Sequence, residues 1–342
     1  MMSRSKHIAF LDTNTPGGWE AETVGSKKVG ATQVTAARQG LALRDIFNYE
    51  VSYIQRLRKT SCDLNGIKYL DYKSAREHLC PNYVLMLKSL WHKDVDYVRD
   101  AFPGSKLIWW NKMDLPYVQG SYGDFEGVLE RLDGFVHNSA YTLNEYSPYI
   151  PKGKPNTYIY NNVEDYSILN KNRDLNRLMY ASHASKGLEK TVDMFKRVKA
   201  RLPKLNFAAC SAYDNISDSE YVENLGKLSI PDLYSELSGS LCLFFLQGPK
   251  ERFAGESFGV VFVDAMMNGT PIITNNLGAA SEIAGKCKDN LILEYDEPVE
   301  SQQNRILEKI TRLQNEFPSI ECPSCFSVSS TTNAWNDFLC NI

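Results

Sequence analysis

Short apolar segments alternate with amphipathic segments along the whole chain, and this alternation constrains the fold more than any other feature. Apolar runs of this length are typical of buried strands, and the segments between them are typical of crossover helices. A helix predicted from Gly187 carries an apolar stripe at helical spacing, formed by Leu188, Val192, Phe195, Val198 and Leu202. We therefore predict an α/β protein with parallel sheets. The main predicted strands are 7–11, 50–54, 67–70, 83–87, 106–110, 134–137, 156–160, 178–181, 206–210, 241–246 and 272–274.

The length of 342 residues predicts two domains, because a single hydrophobic core stops growing at roughly 250–300 residues. A polar, turn-rich stretch, 161–174, separates two series of strands and is the predicted linker. We predict an N-terminal Rossmann-like domain over 1–165, a C-terminal one over 166–328, and a final helix over 329–342 that is a candidate to pack back on the N-terminal domain. Ligands of such sheets bind outside the carboxyl ends of the strands, so both domains are expected to present loops to a shared cleft.

The net charge and the lengths of the apolar runs argue against a nucleic-acid-binding protein and against a membrane protein. A formal net charge of −3 gives no reason to expect nucleic acid or an anionic membrane as the main partner. The longest apolar runs, near 241–246 and 260–263, are far shorter than the roughly 20 residues of a membrane span, and no signal-peptide core follows the first residues. We therefore expect a soluble, cytoplasmic protein without a transmembrane segment. A homodimer stays open as an alternative to a monomer.

Two motifs that bind metals in other proteins occur here without the required surroundings. Asp94 and Asp96 form a D-x-D, but they fall in a predicted helix with no further ligands nearby. Cys322 and Cys325 form the one C-x-x-C among eight scattered cysteines, and a zinc site needs a second pair. We therefore predict no metal site.

The stretch 255–274 carries the most specific functional signal. Glu256 and Asp264 flank an apolar segment that is predicted to be helical, and a loop that runs into a helix N-terminus suits a phosphate. Eight residues make slightly over two helical turns, so we expect Asp264 to lie about 80° around the helix axis from Glu256 and about 12 Å along it. Two acids placed in this way around a phosphate favour a nucleotide sugar as ligand. Acids flanking an apolar helix are also common in α/β proteins, so the spacing alone leaves a structural role open.

The same stretch resembles the E-x7-E segment of the glycosyltransferase family 4 enzymes, whose usual pattern is E-[GS]-F-G-x4-E-A-M-x-x-G-x-P-[VI]-[VI]. The matching residues are Glu256, Ser257, Phe258, Gly259, Ala265, Met266, Gly269, Pro271 and Ile272. Asp264 departs from the pattern, which has Glu at this position. Residues 278–283 and 158–164 are similar to two further family segments, G-G-x-x-E-I and I-x-N-G-V-D, with Asn162 in place of the glycine. The resemblance is strongest over residues 155–285.

This resemblance implies the GT-B fold, in which two Rossmann-like domains face each other across a cleft. It implies an enzyme of the hexosyltransferase class that moves a hexose from a nucleoside-diphosphate sugar with retention at the anomeric carbon. The nucleotide sugar is then a co-substrate and no cofactor is needed. Family frequency favours GDP-mannose over UDP-sugars as donor, with mannose as the transferred hexose. The expected acceptor is a glycan, a glycoprotein or another hydroxyl compound. A non-catalytic nucleotide-sugar-binding protein and an epimerase of the same fold remain alternatives.

The resemblance also implies roles for individual residues. Lys186, in a Lys-Gly pair, is expected at the donor phosphates, Glu256 at the hydroxyls of the transferred sugar, and Asp264 at the ribose. Lys186 and Glu256 are the predicted catalytic residues. The predicted donor-binding residues are Gly30, Ala31, Ser182, Lys186, Arg252, Glu256, Ser257, Phe258, Gly259, Val260 and Asp264.

Three positions depart from the family pattern or extend it. The arginine that many members carry a few residues before Lys186 is absent, and Arg252 is the candidate replacement. A histidine-containing loop common in the family is replaced here by Asn111 and Lys112, and His137 is a weak substitute that is more often structural. Trp19, in the loop that precedes Gly30, is a candidate lid or acceptor contact.

Overall fold

The computed structural model describes residues 6–24, 30–163, 172–210, 220–249 and 254–342. The chain divides into two compact units, which we call unit 1 (Met1–Val163 with Cys325–Ile342) and unit 2 (Glu164–Ser324). Within the described ranges, no helix is long and apolar enough to span a bilayer.

The strands are β1 His7–Asp12, β2 Glu50–Gln55, β3 Cys62–Leu64, β4 Ile67–Leu70, β5 Tyr83–Leu87, β6 Lys106–Asn111, β7 Gly134–His137, β8 Asn156–Tyr158, β9 Asp174–Ala181, β10 Asn206–Cys210, β11 Glu223–Asn224, β12 Ser240–Phe245, β13 Ile272–Asn275 and β14 Leu291–Leu293. The α-helices are α1 Ala31–Phe47, α2 Tyr72–His78, α3 His92–Ala101, α4 Leu115–Ser121, α5 Phe125–Glu130, α6 Ala140–Tyr146, α7 Leu188–Lys199, α8 Ile230–Gly239, α9 Val260–Met267, α10 Ala280–Ala284, α11 Val299–Asn315 and α12 Val328–Asn341.

The described strands of unit 1 form one sheet in the order β3-β4-β2-β1-β5-β6-β7-β8. All neighbours pair in parallel except β3 and β4, which pair antiparallel. Every residue of β1, β5 and β7 is buried, as expected for central strands that are covered on both faces. The strand order reverses between β1 and β5, so the switch point of this sheet lies where those two strands end.

The last helix, α12, belongs to unit 1 and packs on α1. The ring of Trp335 meets that of Trp110 edge-on at 4.9 Å between centroids. Gln39 of α1 donates to Thr332 Oγ1 of α12 over 3.2 Å, and both residues are buried. The ring pair thus ties α12 to β6, and the buried polar contact ties it to α1.

The described strands of unit 2 form a second sheet in the order β11-β10-β9-β12-β13-β14, and all its pairs are parallel. Here the order reverses between β9 and β12. The two strands pair through Cys242 with Leu178 and through Leu243 with Met179. Their carboxyl ends, at Ala181 and Phe245, mark the switch point of unit 2.

The predicted fold class, α/β with two parallel sheets, is confirmed. All eleven predicted strands are present, although the strand predicted over 156–160 ends at Tyr158. Sequence analysis missed β3, β11 and β14, which are only two or three residues long. So few residues show no clear alternation, and β3 exists because it forms a hairpin with β4 through Asn65 and Gly66, both with positive φ.

Candidate active site

Lys186 and Gly187 follow the end of β9. A short 3-10 turn, Ala184–Lys186, leads into α7, and Gly187 has a φ of 132°, a conformation that favours glycine. A Cβ atom at this position would lie 2.1 Å from the carbonyl oxygen of Leu246, just past β12. Glycine is therefore required for the start of α7 to approach the end of β12, and this approach places Lys186 at the switch point.

Glu256 lies at the same edge of the sheet, beside the end of β13. Its carbonyl accepts a hydrogen bond from the N–H of Ala279 over 2.7 Å, and its backbone forms an isolated parallel bridge with Gly278. Gly255, with a φ of 110°, lies against the same segment, because a Cβ there would be 2.3 Å from the nitrogen of Gly278. The loop that carries Glu256 is thus fastened to the segment that follows β13.

The two predicted catalytic residues form an ion pair. Lys186 Nζ lies 2.9 Å from Glu256 Oε1, and Ser182 Oγ donates to the same oxygen over 3.5 Å. The Glu256 side chain is 13% exposed and that of Lys186 35%, so solvent still reaches the pair. Burial, and next the charge of Glu256, raise the pKa of the neighbouring Tyr180 phenol. The pair lies at the carboxyl ends of β9, β12 and β13, beside the switch point where ligands of open parallel sheets bind.

The predicted geometry between the two acids is wrong. The helix α9 begins only at Val260, after Gly259 with a φ of 78°, so Glu256 lies on a loop and not on the helix. The estimate of about 80° and about 12 Å, which assumed one continuous helix, does not apply. Of the loop residues between the acid and the helix, Ser257 is half-buried, whereas Phe258 and Gly259 are buried. Val260 is half-buried at the helix start.

Asp264 lies inside α9 and is 6% exposed. Its Oδ1 accepts a hydrogen bond of 3.0 Å from the hydroxyl of Tyr234, a fully buried residue of α8. A buried carboxylate needs such partners, since desolvation of an unbonded charge is costly. Tyr234 fixes one side of the carboxylate, and sequence analysis did not identify it, because no local pattern links residues thirty positions apart.

A pair of buried amides supports the Glu256 loop, and sequence analysis missed both. Gln247 and Asn275 are fully buried at the ends of β12 and β13. The side chain of Asn275 accepts from the N–H of Gln247 over 2.6 Å and donates to its carbonyl over 3.0 Å. Gln247 in turn accepts the N–H of Glu256 at 2.7 Å. The sequence did contain one indication of Gln247, because it is the polar residue that directly follows the apolar run 241–246.

Two of the predicted donor-binding residues lie in unit 1. Gly30 is the N-cap of α1 and Ala31 its first residue, and both are exposed. Arg252, the proposed replacement for the missing arginine, lies outside the described residues.

Trp19 is not a lid or an acceptor contact. Its side chain is fully buried, and its Nε1 donates to Asp12 Oδ2 over 2.8 Å. The same carboxylate accepts from the backbone of Asn14, from Thr15 and from Gln33 of α1. Residues 14–19 therefore fold back onto the end of β1, and Trp19 is part of the core of unit 1.

His137 is a structural residue. It is fully buried between Asn111 and Asn156, with contacts of 3.1 Å from Nδ1 and 3.0 Å from Nε2. Asn111 Oδ1 accepts the N–H of Met113, so its NH₂ group faces the ring; Nδ1 must then accept and Nε2 donate. Burial lowers the pKa of His137 to about 4, and the imidazole is neutral near pH 7.

Lys112 bridges three segments of unit 1. Its Nζ donates to Thr35 Oγ1 over 2.7 Å and to Asn161 Oδ1 over 2.6 Å, and lies 3.6 Å from the centre of the Trp110 ring. Burial, and next the charge of Lys88, lower its pKa well below the usual value for lysine.

The D-x-D carboxylates have structural partners. Asp94 is fully buried and accepts hydrogen bonds from Tyr72 and Ser89, whereas Asp96 pairs with Arg131 on the surface. In the part of the chain that the structure describes, no group of three or more His, Cys, Asp or Glu is arranged to hold a metal ion.

Comparison with proteins of known structure identifies the fold. No family model and no curated protein matches this sequence. Among solved structures, the pneumococcal O-GlcNAc transferase GtfA, in complex with UDP and GlcNAc, superposes with a TM-score of 0.70 at 10% identity, covering 98% of this chain and 99% of that chain. HepE from Anabaena, in complex with UDP and glucose, gives 0.68 at 14% identity, covering 98% and 100%. Sucrose-phosphate synthase from Thermosynechococcus elongatus gives 0.68 at 12% identity, covering 98% and 97%.

These likenesses, which extend over nearly the whole of each chain, establish the fold. The chain has the GT-B fold of glycosyltransferases, with one parallel α/β sheet in each unit. Fold alone does not establish an activity, because one fold hosts many functions.

Proposed function

We propose that this protein is a glycosyltransferase that binds a nucleoside-diphosphate sugar at the switch point of unit 2. The observation that carries the proposal is the partly exposed Lys186–Glu256 ion pair, 2.9 Å long, at the carboxyl ends of β9, β12 and β13. A cation and a carboxylate at this edge can bind the two chemically different parts of such a donor. The diphosphate needs positive charge, and the sugar hydroxyls need hydrogen-bond acceptors.

In the proposed complex the two residues exchange partners. Lys186 turns to the diphosphate, together with the N–H groups at the start of α9, and Glu256 accepts from hydroxyls of the transferred sugar. Asp264, held by Tyr234, is assigned to the ribose. The ion pair keeps the charges of Lys186 and Glu256 compensated in the free protein until the donor arrives.

We infer a UDP-sugar as the donor. The preference for GDP-mannose rested on family frequency and finds no support among the similar structures, since GtfA and HepE are in complex with UDP. The proposed product retains the anomeric configuration of the donor, and no metal is needed because Lys186 and a helix N-terminus supply the positive charge at the diphosphate. The acceptor class, a glycan or glycoprotein, the cytoplasmic location and a homodimer stay predictions.

A donor panel tests the proposal. The protein is incubated in EDTA with UDP-glucose, UDP-GlcNAc and GDP-mannose, and release of free nucleotide and sugar is followed. We expect slow donor hydrolysis with a UDP-sugar, faster turnover when a sugar acceptor is added, and a product whose anomeric proton keeps the donor's coupling constant. Epimer formation would favour the epimerase, and binding without turnover would favour the non-catalytic alternative. An inverted product would contradict retention.

Replacing Glu256 by Gln tests its assigned role. A hydrogen bond to a charged group contributes about 1.5–3 kcal/mol, so turnover should fall about 10- to 100-fold. Affinity for free UDP should not fall, because the sugar contacts are absent from UDP and the variant removes a negative charge beside Lys186. If Glu256→Gln weakens UDP binding as much as Asp264→Ala does, the two acids are wrongly assigned.

A further inference from the structure

One buried side chain fastens the two ends of the loop that carries Glu256. Gln247 lies two residues after β12, where the loop departs, and its Oε1 accepts the N–H of Glu256, where the loop returns, over 2.7 Å. On its other side the Glu256 carbonyl is held by Ala279 at 2.7 Å. The peptide groups on both sides of this one residue are therefore fixed.

The contact requires a carboxamide at position 247. While Oε1 faces Glu256, Nε2 donates to the carbonyl of Leu277 over 3.1 Å and approaches that of Asn275 at 3.3 Å. The glutamine side chain supplies two N–H donors and an acceptor at this reach, and all three are used here. Since Gln247 is fully buried, a lost bond cannot be replaced by bulk water.

We propose that Gln247 is a positioning residue for the Glu256 carboxylate, acting through the backbone from which that carboxylate reaches Lys186. This inference rests on the proposed function, in which Glu256 binds the transferred sugar. Gln247 itself touches neither charged group among the contacts described. Its effect on turnover must therefore pass through Glu256.

The inference predicts a selective effect. A displacement of about 1 Å at a reacting centre can cost about 100-fold in rate, whereas the nucleotide, bound by Lys186 and Asp264, is held elsewhere. In Gln247→Glu an acceptor for the Glu256 N–H is still present. The two N–H donors to the carbonyls of Asn275 and Leu277 are replaced by a carboxylate oxygen, which those carbonyls repel, so the side chain is no longer held in place. Gln247→Met removes all three bonds at similar volume and provides a second variant.

The test is a double-mutant cycle with the donor of the panel that the parent turns over fastest. Gln247→Glu and Gln247→Met are made in the parent and in the Glu256→Gln background, and kcat, KM, UDP affinity and melting temperature are measured. The matched control is Asn290→Asp. Asn290 also bridges two backbone segments, donating to the Ala284 carbonyl over 2.7 Å and accepting from Ile272 N–H over 2.9 Å, but at the opposite end of β13.

We expect kcat to fall about 10- to 100-fold in the parent background and less than about threefold in the Glu256→Gln background, with UDP affinity nearly unchanged. Asn290→Asp should lower the melting temperature without this selective loss of kcat. Equal losses in the two backgrounds, or a loss of UDP affinity that matches the loss of kcat, would overturn the inference. If one Gln247 variant does not fold, the other decides; if neither folds, the role is structural and the inference fails. A parent protein that binds none of the three donors would instead overturn the proposed function.

Discussion

The switch points of the two sheets differ in how their polar groups are used. In unit 1, the end of β1 is closed: Asp12 receives hydrogen bonds from the loop that follows it and from α1, and Trp19 is buried over it. In unit 2, the corresponding place holds the ion pair of Lys186 with Glu256, whose lysine is 35% exposed. A network with several internal donors is costly to open, whereas a partly solvated pair can exchange partners at little cost.

This difference indicates where ligand chemistry is concentrated. The buried polar groups of unit 1, including His137 between two asparagines, stabilise the unit itself. The buried amides of unit 2, Gln247 and Asn275, support a loop that carries a partly exposed acid. We therefore expect changes in unit 1's networks to alter stability and changes at unit 2's switch point to alter binding.

The largest expected effect concerns pH and unit 1. The folded-state pKa of His137 is about 4 because of burial, below its usual value of 6.5, so the unfolded chain takes up the proton first as pH falls. The stabilisation is fully present above pH 6.5 and is lost between pH 6.5 and 4, amounting to about 3 kcal/mol. Burial also lowers the pKa of His7, which acts in the same direction.

Urea unfolding at pH 7, 5.5 and 4 measures this loss. His137→Gln, which cannot titrate, serves as the comparison and should show a shallower pH dependence of the unfolding free energy. An identical pH dependence in the variant would contradict a neutral, buried His137 and would weaken the view that unit 1's polar groups are structural.

Lys186→Ala tests the partly exposed ion pair of unit 2. Loss of a charge-assisted hydrogen bond to a diphosphate should weaken UDP binding by about 1.5–3 kcal/mol. In this variant the Glu256 carboxylate has lost the Lys186 cation and repels the diphosphate. Adding Glu256→Gln removes that repulsion and should restore part of the lost affinity.

Calorimetric titration with UDP measures both effects. The matched control is Lys190→Ala, which removes a cation one turn later on α7 whose Nζ lies 4.0 Å from the centre of the Tyr295 ring. Equal weakening by Lys186→Ala and Lys190→Ala, or no recovery in the double variant, would place the diphosphate away from the ion pair.

Trp19→Phe tests the buried hydrogen-bond network at the end of β1 in unit 1. The variant removes the Nε1 donor to Asp12 and leaves space in the core, so the unfolding free energy should fall by about 2 kcal/mol. Affinity for UDP, measured in the folded protein, should be unchanged. A tenfold loss of UDP affinity without loss of stability would show that the loop after β1 takes part in nucleotide binding.

Tyr234→Phe has the smallest expected effect. Removing the hydroxyl that donates to Asp264 over 3.0 Å should weaken UDP binding by about 1 kcal/mol, or about fivefold. In the Asp264→Ala background the same change should have no further effect on binding. Additive losses in the two backgrounds would mean that Tyr234 contributes independently of Asp264.

Sequence reasoning was most successful for features that are local in the chain. Apolar runs located the strands, and the apolar stripe that follows Gly187 located the helix α7. It failed for the path between Glu256 and Asp264, because the left-handed conformation of Gly259 delays the start of α9 to Val260. An E-x7-E pattern reads as one helix unless that conformation is known.

Contacts between distant residues could not be predicted. Tyr234 and Asp264 are far apart in sequence, and the partners of Gln247 come from the segment after β13. Trp19 was misassigned for a related reason, because an aromatic residue in a long glycine-containing loop suggests exposure. Its burial depends on a carboxylate at the end of β1, and only the folded structure brings the two together.

Hydrogen–deuterium exchange on the full-length protein, with and without saturating UDP, tests the central claim most directly. The account predicts slower exchange at the backbone amides of residues 186–190 and 256–262 in unit 2, and unchanged exchange at residues 12–19 and 111–113 in unit 1. Protection at 12–19 and 111–113 with none at 186–190 or 256–262 would contradict it.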